Sequence, residues 1–280
     1  MLKKLKEKIL SAQYYYNSVI LNIFGIQVFR YIAAHWIYYN KFKRFGFDKD
    51  ETLKKLKDKG HLRFENFIDE NQLNNIKIEF EKLIKSQHAH NVDQGDGTKN
   101  IVVFLEDEIL KGYKHLNSIR NDTRIKKIFC DSELKDNIEI KCRLERIHCI
   151  SNDIEDKNKN FHYDTFHNTF KAWLYLTDSN LQNGPLNVIE GTNRFSFKKL
   201  FYIYTHSIYI SLNKKFNKKK NIQLFRFFNK KKLTNKSKNL IANKKDFLLA
   251  NTHSIHRRGD ALENTIRDSI HFYTRENPFY

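Results

Sequence analysis

Only 9 glycines, 2 prolines and 3 cysteines occur in 280 residues. So little Gly and Pro excludes collagen-like chains, Gly/Ser linkers and Pro-rich disorder, each of which needs the composition missing here. Cys130, Cys142 and Cys149 are an odd count with no CxxC pair, too sparse to frame a small secreted fold. A reduced, cytoplasmic setting is the expectation. Acid is missing locally: residues 196–245 hold fifteen Lys and Arg and no Asp or Glu, and residues 1–44 hold eight basic residues against Glu7 alone. These two segments carry +15 and +7 of the net +19, leaving the rest of the chain at −3. This distribution argues against a dedicated nucleic-acid binder, and a nearly neutral body with two basic attachments suggests surfaces that meet something anionic, whether lipid headgroups, a phosphorylated substrate or nucleic acid.

What is present is enough apolar sequence, 40%, to bury a sizeable core. No residue from Ile9 to Phe29 is charged, which would permit a membrane span by length. Ser11, Gln13, Asn17, Asn22 and Gln27 make it too polar for one, and no A-x-A cleavage signal follows. Residues 1–45 therefore read as a basic, aromatic, amphipathic helical segment lying on the body or, peripherally, on the inner face of a membrane.

The body, residues 46–280, reads as one domain. Gly60 marks a turn into a short strand ending near Phe67, and Asp69 with Gln72 forms a capping box for a helix to about Lys85. The Asp- and Gly-rich residues 88–100 read as a loop. Ile138–Ile150, Phe170–Leu176, Leu186–Ile189, Phe247–Ala250 and Arg267–Tyr273 read as strands, with Asn183, Gly184 and Pro185 in a turn. No internal repeat is found. Many short strands after helices, with one long basic insert at 196–245, predict a mainly β, α+β fold, a barrel or jelly roll.

Three pieces carry chemistry. His162 and Asp164, two apart on extended chain, share a face. Asp246 opens a strand leading to His253 and His256, and Arg267 and Ser269 share a face of the last strand. Two His and one carboxylate form the facial set that holds non-haem Fe(II) with positions open. An Arg and a Ser suit a co-substrate with a distal carboxylate, such as 2-oxoglutarate, with O2 as oxidant. At this point His253 and His256 both qualify as the second imidazole. His167, His253 and His271 also read as polar core or rim residues, and Lys171 as a solvated charge or a pocket cation.

The sequence resembles the phytanoyl-CoA dioxygenase family in four places: HYD at 162–164, KAWLYLTDSNLQNGPLNVIEGTNR at 171–194, the Asp246 strand with His256 ten residues on, and Arg267 eleven beyond. The resemblance runs by motif order over residues 55–275. It implies a double-stranded β-helix with flanking helices, and an Fe(II)- and 2-oxoglutarate-dependent dioxygenase that hydroxylates a small or lipid-like substrate. It also implies His162, Asp164 and His256 as iron ligands, Arg267 with Ser269 as the 2-oxoglutarate anchor, and Trp173 as an aromatic wall. Where the family commonly has Pro-Gly-Ser/Thr-His, this chain has Glu190, Gly191, Thr192 and Asn193. A reading from another class is a catalytically silent jelly roll whose basic segments bind membrane or nucleic acid; it gives the four site positions no reason to meet.

Overall fold

The computed structural model describes residue 10 and residues 18–46, 50–93, 98–150, 160–212, 222–223 and 230–279. Most of the uncharged run 9–29 before Ser18, and residues 213–221 and 224–229 of the basic insert, lie outside the described residues.

The elements in chain order begin with α1 (Val19–Ile23), α2 (Ile26–Arg44), α3 (Glu51–Lys59), β1 (His61–Phe64), α4 (Glu70–Ile84), β2 (His90–Asp93) and β3 (Thr98–Phe104). Next come α5 (Asp107–Leu110), α6 (Lys114–Arg120), α7 (Thr123–Glu133), β4 (Lys141–Cys149), β5 (His162–Tyr163), β6 (Phe170–Tyr175) and β7 (Leu186–Val188). The chain closes with α8 (Phe197–Leu212), β8 (Ile222–Gln223), α9 (Lys230–Lys236), β9 (Lys238–Leu240), β10 (Phe247–Asn251), β11 (His256–Arg258) and β12 (Ile266–Tyr273).

The strands form two antiparallel sheets, one of seven in the order β1-β10-β6-β12-β4-β3-β2 and one of five in the order β8-β5-β11-β7-β9. Alternation along the strands decides what each face does, because successive side chains point to opposite sides. In β6, Phe170, Ala172 and Leu174 join Phe247, Leu249, Ile270 and Phe272 in the main apolar cluster, packed beneath α3, α4, α6 and α7. Helices α3 and α4 present Leu53 and Leu56, and Leu73, Ile76, Phe80 and Leu83, to that cluster at helical spacing. Each such side chain stabilises by roughly 1.5–3 kcal/mol. On the other face, Tyr175 and Leu248 meet Val188 and Leu240 of the small sheet and Ala242 just after it. Beyond the small sheet, Phe161 and Tyr163 pack against Tyr31 and Ala34 of α2 and Tyr202 and Ile203 of α8. The result is a jelly roll with helices outside both sheets.

Local chemistry sets the boundaries. The capping box of α4 is present, with Asp69 accepting from Gln72 N at 2.8 Å and Gln72 Oε1 accepting from Asp69 N at 3.0 Å. Gly60 ends α3 at φ +82°, and a Cβ there would lie 2.5 Å from Ser254 Oγ, so only glycine lets this turn approach the loop before β11. Two expectations change. Residues 88–100 are not one loop, because His90 pairs with Val102 and the strands β2 and β3 flank a turn whose tip lies outside the described residues. Within the basic insert, where the sequence marks no regular element, Phe197–Leu212 form the packed helix α8, because Tyr202, Ile203 and Ile210 bury one stripe of it.

Candidate metal centre

Strands β5 and β11 are neighbours in the small sheet, and their single paired position sets His162 opposite His256. Asp164 follows β5 directly, its backbone N–H donating to Thr252 O at 3.0 Å. The His162 and His256 Nε2 atoms each stand 3.9 Å from Asp164 Oδ1, and one donor atom from each of the three residues falls within 4.8 Å of the others. Both imidazoles are oriented from behind. His162 Nδ1 donates to Asn160 O at 2.7 Å and His256 Nδ1 to Ser254 O at 2.8 Å. Each ring therefore bonds the carbonyl two residues before it and turns its Nε2 toward Asp164, the arrangement a metal-binding histidine needs.

The charge state agrees. Burial pushes the Asp164 carboxyl up, but the Lys171 ammonium at 2.7 Å holds it well below the usual carboxylate range. Burial, and His162 beside it, push His256 down to about 3, so its ring is neutral at physiological pH. Two imidazole nitrogens and one carboxylate oxygen on a common point suit a divalent first-row metal. Among the described residues this is the one group of three or more His, Cys, Asp or Glu that could hold a metal ion.

The inward face of the large sheet continues from there. Lys171, Trp173 and Tyr175 alternate along β6, and Arg267, Ser269 and His271 alternate along β12, with Ser269 opposite Tyr175 and His271 opposite Trp173. The Trp173 and His271 rings stack at 5.1 Å and 6°. Arg267 is buried and donates to the Gly184 carbonyl in the Asn183–Gly184–Pro185 turn. Glu145, opposite Ser269 on the other side, takes Arg143 at 2.9 Å. Burial raises that carboxyl, but Arg143 and Arg267 draw it down to about 2. Ser269 is buried on the same face.

His253 stands elsewhere. Its Nδ1 donates to Thr165 O at 2.7 Å and its Nε2 accepts from Lys199 Nζ at 3.0 Å, so both nitrogens are used. Lys199 is one of the fifteen insert cations, yet it is buried, donates to Thr192 O and His253 O, and lies over the Tyr163 ring. Burial pushes its pKa well below that of a free lysine. Nothing in a Lys-rich run distinguishes this residue except its apolar i+3 and i+4 neighbours, Tyr202 and Ile203. Lys171 resolves as a partner of Asp164 rather than a solvated charge.

No protein-family model matches the chain, and no curated protein matches it. Solved structures do. The epimerase SnoN in complex with Fe3+, alpha ketoglutarate and nogalamycin RO superposes with a TM-score of 0.57 at 12% identity, over 80% of this chain and 82% of that one. A Pseudomonas putida prolyl-4-hydroxylase superposes with 0.51 at 8% identity, over 80% and 97%. The non-heme alpha ketoglutarate dependent carbocyclase SnoK, from nogalamycin biosynthesis, gives 0.50 at 9% identity, over 80% and 82%. The chain thus shares the fold of these structures, one of which holds Fe3+ and alpha ketoglutarate and another of which is non-heme and alpha ketoglutarate dependent.

Proposed function

We propose that this chain is an oxygenase that uses Fe(II), 2-oxoglutarate and O2 to hydroxylate a small or lipid-like, anionic organic substrate. The observation that carries the proposal is the convergence of His162, Asp164 and His256 with both Nδ1 atoms tied to backbone carbonyls. A catalytically silent jelly roll has no need of it. Bound there, Fe(II) would couple O2 to the oxidative decarboxylation of 2-oxoglutarate, giving succinate, CO2 and the oxidising power to hydroxylate a C–H bond.

The chain's own residues would do the rest. Lys171 keeps Asp164 ionised and aimed, and Arg267 with Ser269 takes the far carboxylate of 2-oxoglutarate through charge-assisted hydrogen bonds. Trp173, fixed by its stack on His271, walls the pocket. On the inward face Lys171, Arg143 and Arg267 exceed Asp164 and Glu145 by one charge, which favours an anionic substrate. The known structures of this fold include an epimerase, a carbocyclase and a hydroxylase. The outcome is therefore a matter of residues and not of fold. Asp164 occupies the place a halide would need, so the product is hydroxylated and not chlorinated. Membership of the phytanoyl-CoA dioxygenase family belongs to the same reading, as does a cytoplasmic setting, supported by Cys130, Cys142 and Cys149 forming no disulfide.

Succinate release from 2-oxoglutarate tests it. Fe(II)-loaded protein should release succinate even without substrate, His256→Ala should abolish release and His253→Ala should retain it. No release by the wild-type protein under Fe(II) and O2 would refute the proposal.

A further inference from the structure

Helices α2 and α8 cover the small sheet, and each has a second stripe that covers nothing. On α2, Gln27, Arg30, Tyr31, Ala34 and Phe42 point inward, while Phe29, Ile32, Trp36, Tyr39 and Lys43 follow one another along the opposite face. On α8, Tyr202, Ile203, His206 and Ile210 point inward, while Phe197, Phe201 and Leu212 face out. Trp36 is 67% exposed, Phe197 80% and Phe201 64%, values that no packing requirement explains. The short helix α1 adds Phe24, 75% exposed.

These stripes adjoin. Tyr204 of α8 donates to Ile23 O at 3.0 Å and Asn22 donates to Ser207 O at 3.2 Å, which sets α1 against α8. Phe195 stacks on Tyr31 of α2 at 5.4 Å and meets Phe197 of α8 edge-on at 5.4 Å. Between Trp36 and Phe195 the surface dips into a recess of about 420 Å³ whose walls also carry Lys57 and Arg194. A joined apolar and aromatic surface of this kind marks an interaction site rather than scattered exposed residues.

The charge around it identifies the partner. Residues 18–46 contain no Asp or Glu, and neither do residues 196–245. Lys41, Lys43 and Arg44 close α2, and Lys198 flanks Phe197. A second copy of this chain would set one cationic rim against another across a two-fold contact, which repels. Anionic headgroups would neutralise it. No described helix is long and apolar enough to cross a bilayer, so contact at the surface is what the geometry allows.

We infer that the outward faces of α1, α2 and α8 form a docking surface for an anionic lipid bilayer, with Trp36, Phe197 and Phe201 entering the headgroup region and Lys41, Lys43, Arg44 and Lys198 meeting phosphates. The inference is independent of the oxygenase reading, since it concerns the far side of the small sheet from its pocket.

The test is flotation of the full chain with vesicles of phosphatidylcholine alone, or of phosphatidylcholine mixed with phosphatidylglycerol. The wild-type protein should float with the mixed vesicles and bind them at least about tenfold more tightly than the neutral ones, the difference shrinking as salt is raised. The double variant Trp36→Asp, Phe197→Asp, at two exposed positions, should keep its far-ultraviolet circular dichroism and iron stoichiometry yet lose about tenfold or more in vesicle affinity. Lys41→Glu with Lys43→Glu should lose as much on mixed vesicles and nothing on neutral ones. Equal flotation of wild type and both variants would overturn the inference, as would absence of binding to mixed vesicles. A concentration-dependent dimer broken by Trp36→Asp, with vesicle binding unchanged, would overturn it in favour of a second copy. Iron binding measured on the same samples keeps this failure apart from failure of the oxygenase proposal.

Discussion

The two faces of the seven-stranded sheet are made by the same strands and do opposite work. Along β6 the outward residues are Phe170, Ala172 and Leu174 and the inward ones Lys171, Trp173 and Tyr175; along β12 they are Ile270 and Phe272 against Arg267, Ser269 and His271. One face is apolar and packs four helices. The other is mostly polar, buried or half-buried, and carries Lys171 to Asp164. Stability resides in one set of alternate positions and chemistry in the other, so substitutions on neighbouring residues of a single strand should separate the two properties.

The sharpest break is on the outward side. Phe247 is wholly buried between Phe67 and Phe272, with ring centroids at 4.9 and 5.8 Å. Phe247→Ala should cost about 3–5 kcal/mol in a denaturant titration, while the fraction that remains folded still binds iron. Loss of iron binding at full folding would show that the faces are not separable.

Next in size is a carboxyl on the helical side. Glu133, at the end of α7, is buried, accepts from Phe170 N and from Thr274 Oγ1, and is pushed up by burial to about 7 against an ordinary 4.5. The folded state thus holds a proton that the unfolded chain releases between those values. Its contribution is fully present below about pH 4.5 and is lost as pH rises through about 7, on the order of 3 kcal/mol in all. Glu133→Gln keeps an acceptor oxygen and should flatten that slope, stabilising the protein at pH 8. An unchanged slope in thermal melts across this range would contradict the assignment. On the inward side Asp164 is displaced in the opposite direction, so the two carboxylates mark the division in their charge states as well.

The smallest effect lies at the far end of the inward face. Arg267→Leu should raise the 2-oxoglutarate requirement for succinate release by an amount equivalent to about 2–3 kcal/mol and leave iron affinity nearly unchanged. An equal rise in the iron requirement would show that Arg267 acts by holding the Gly184 turn in place rather than by meeting the co-substrate.

The alternation that defines both faces was legible in the sequence, as were the capping box at Asp69 and Gln72, the turn at Gly60 and the His162, Asp164 pair. These are local patterns, set by residues within a few positions of one another. The meeting of His162 with His256 depends on β5 pairing with β11 across some ninety residues, which spacing alone does not encode. Lys199 was hidden for another reason: in a run of solvated lysines, burial of one is decided by which stripe of α8 packs inward. Strands β2 and β3 were obscured by the Asp- and Gly-rich turn between them.

The central claim is that His162, Asp164 and His256 form one iron site and that His253 lies outside it. Anaerobic Fe(II) titration of four proteins tests this most directly. The wild type should bind one Fe(II), Asp164→Ala and His256→Ala should each weaken binding by at least about 100-fold, more than loss of an outer partner costs, and His253→Ala should bind nearly as the wild type does. Equal affinity in all four, or a greater loss in His253→Ala than in His256→Ala, would contradict the account.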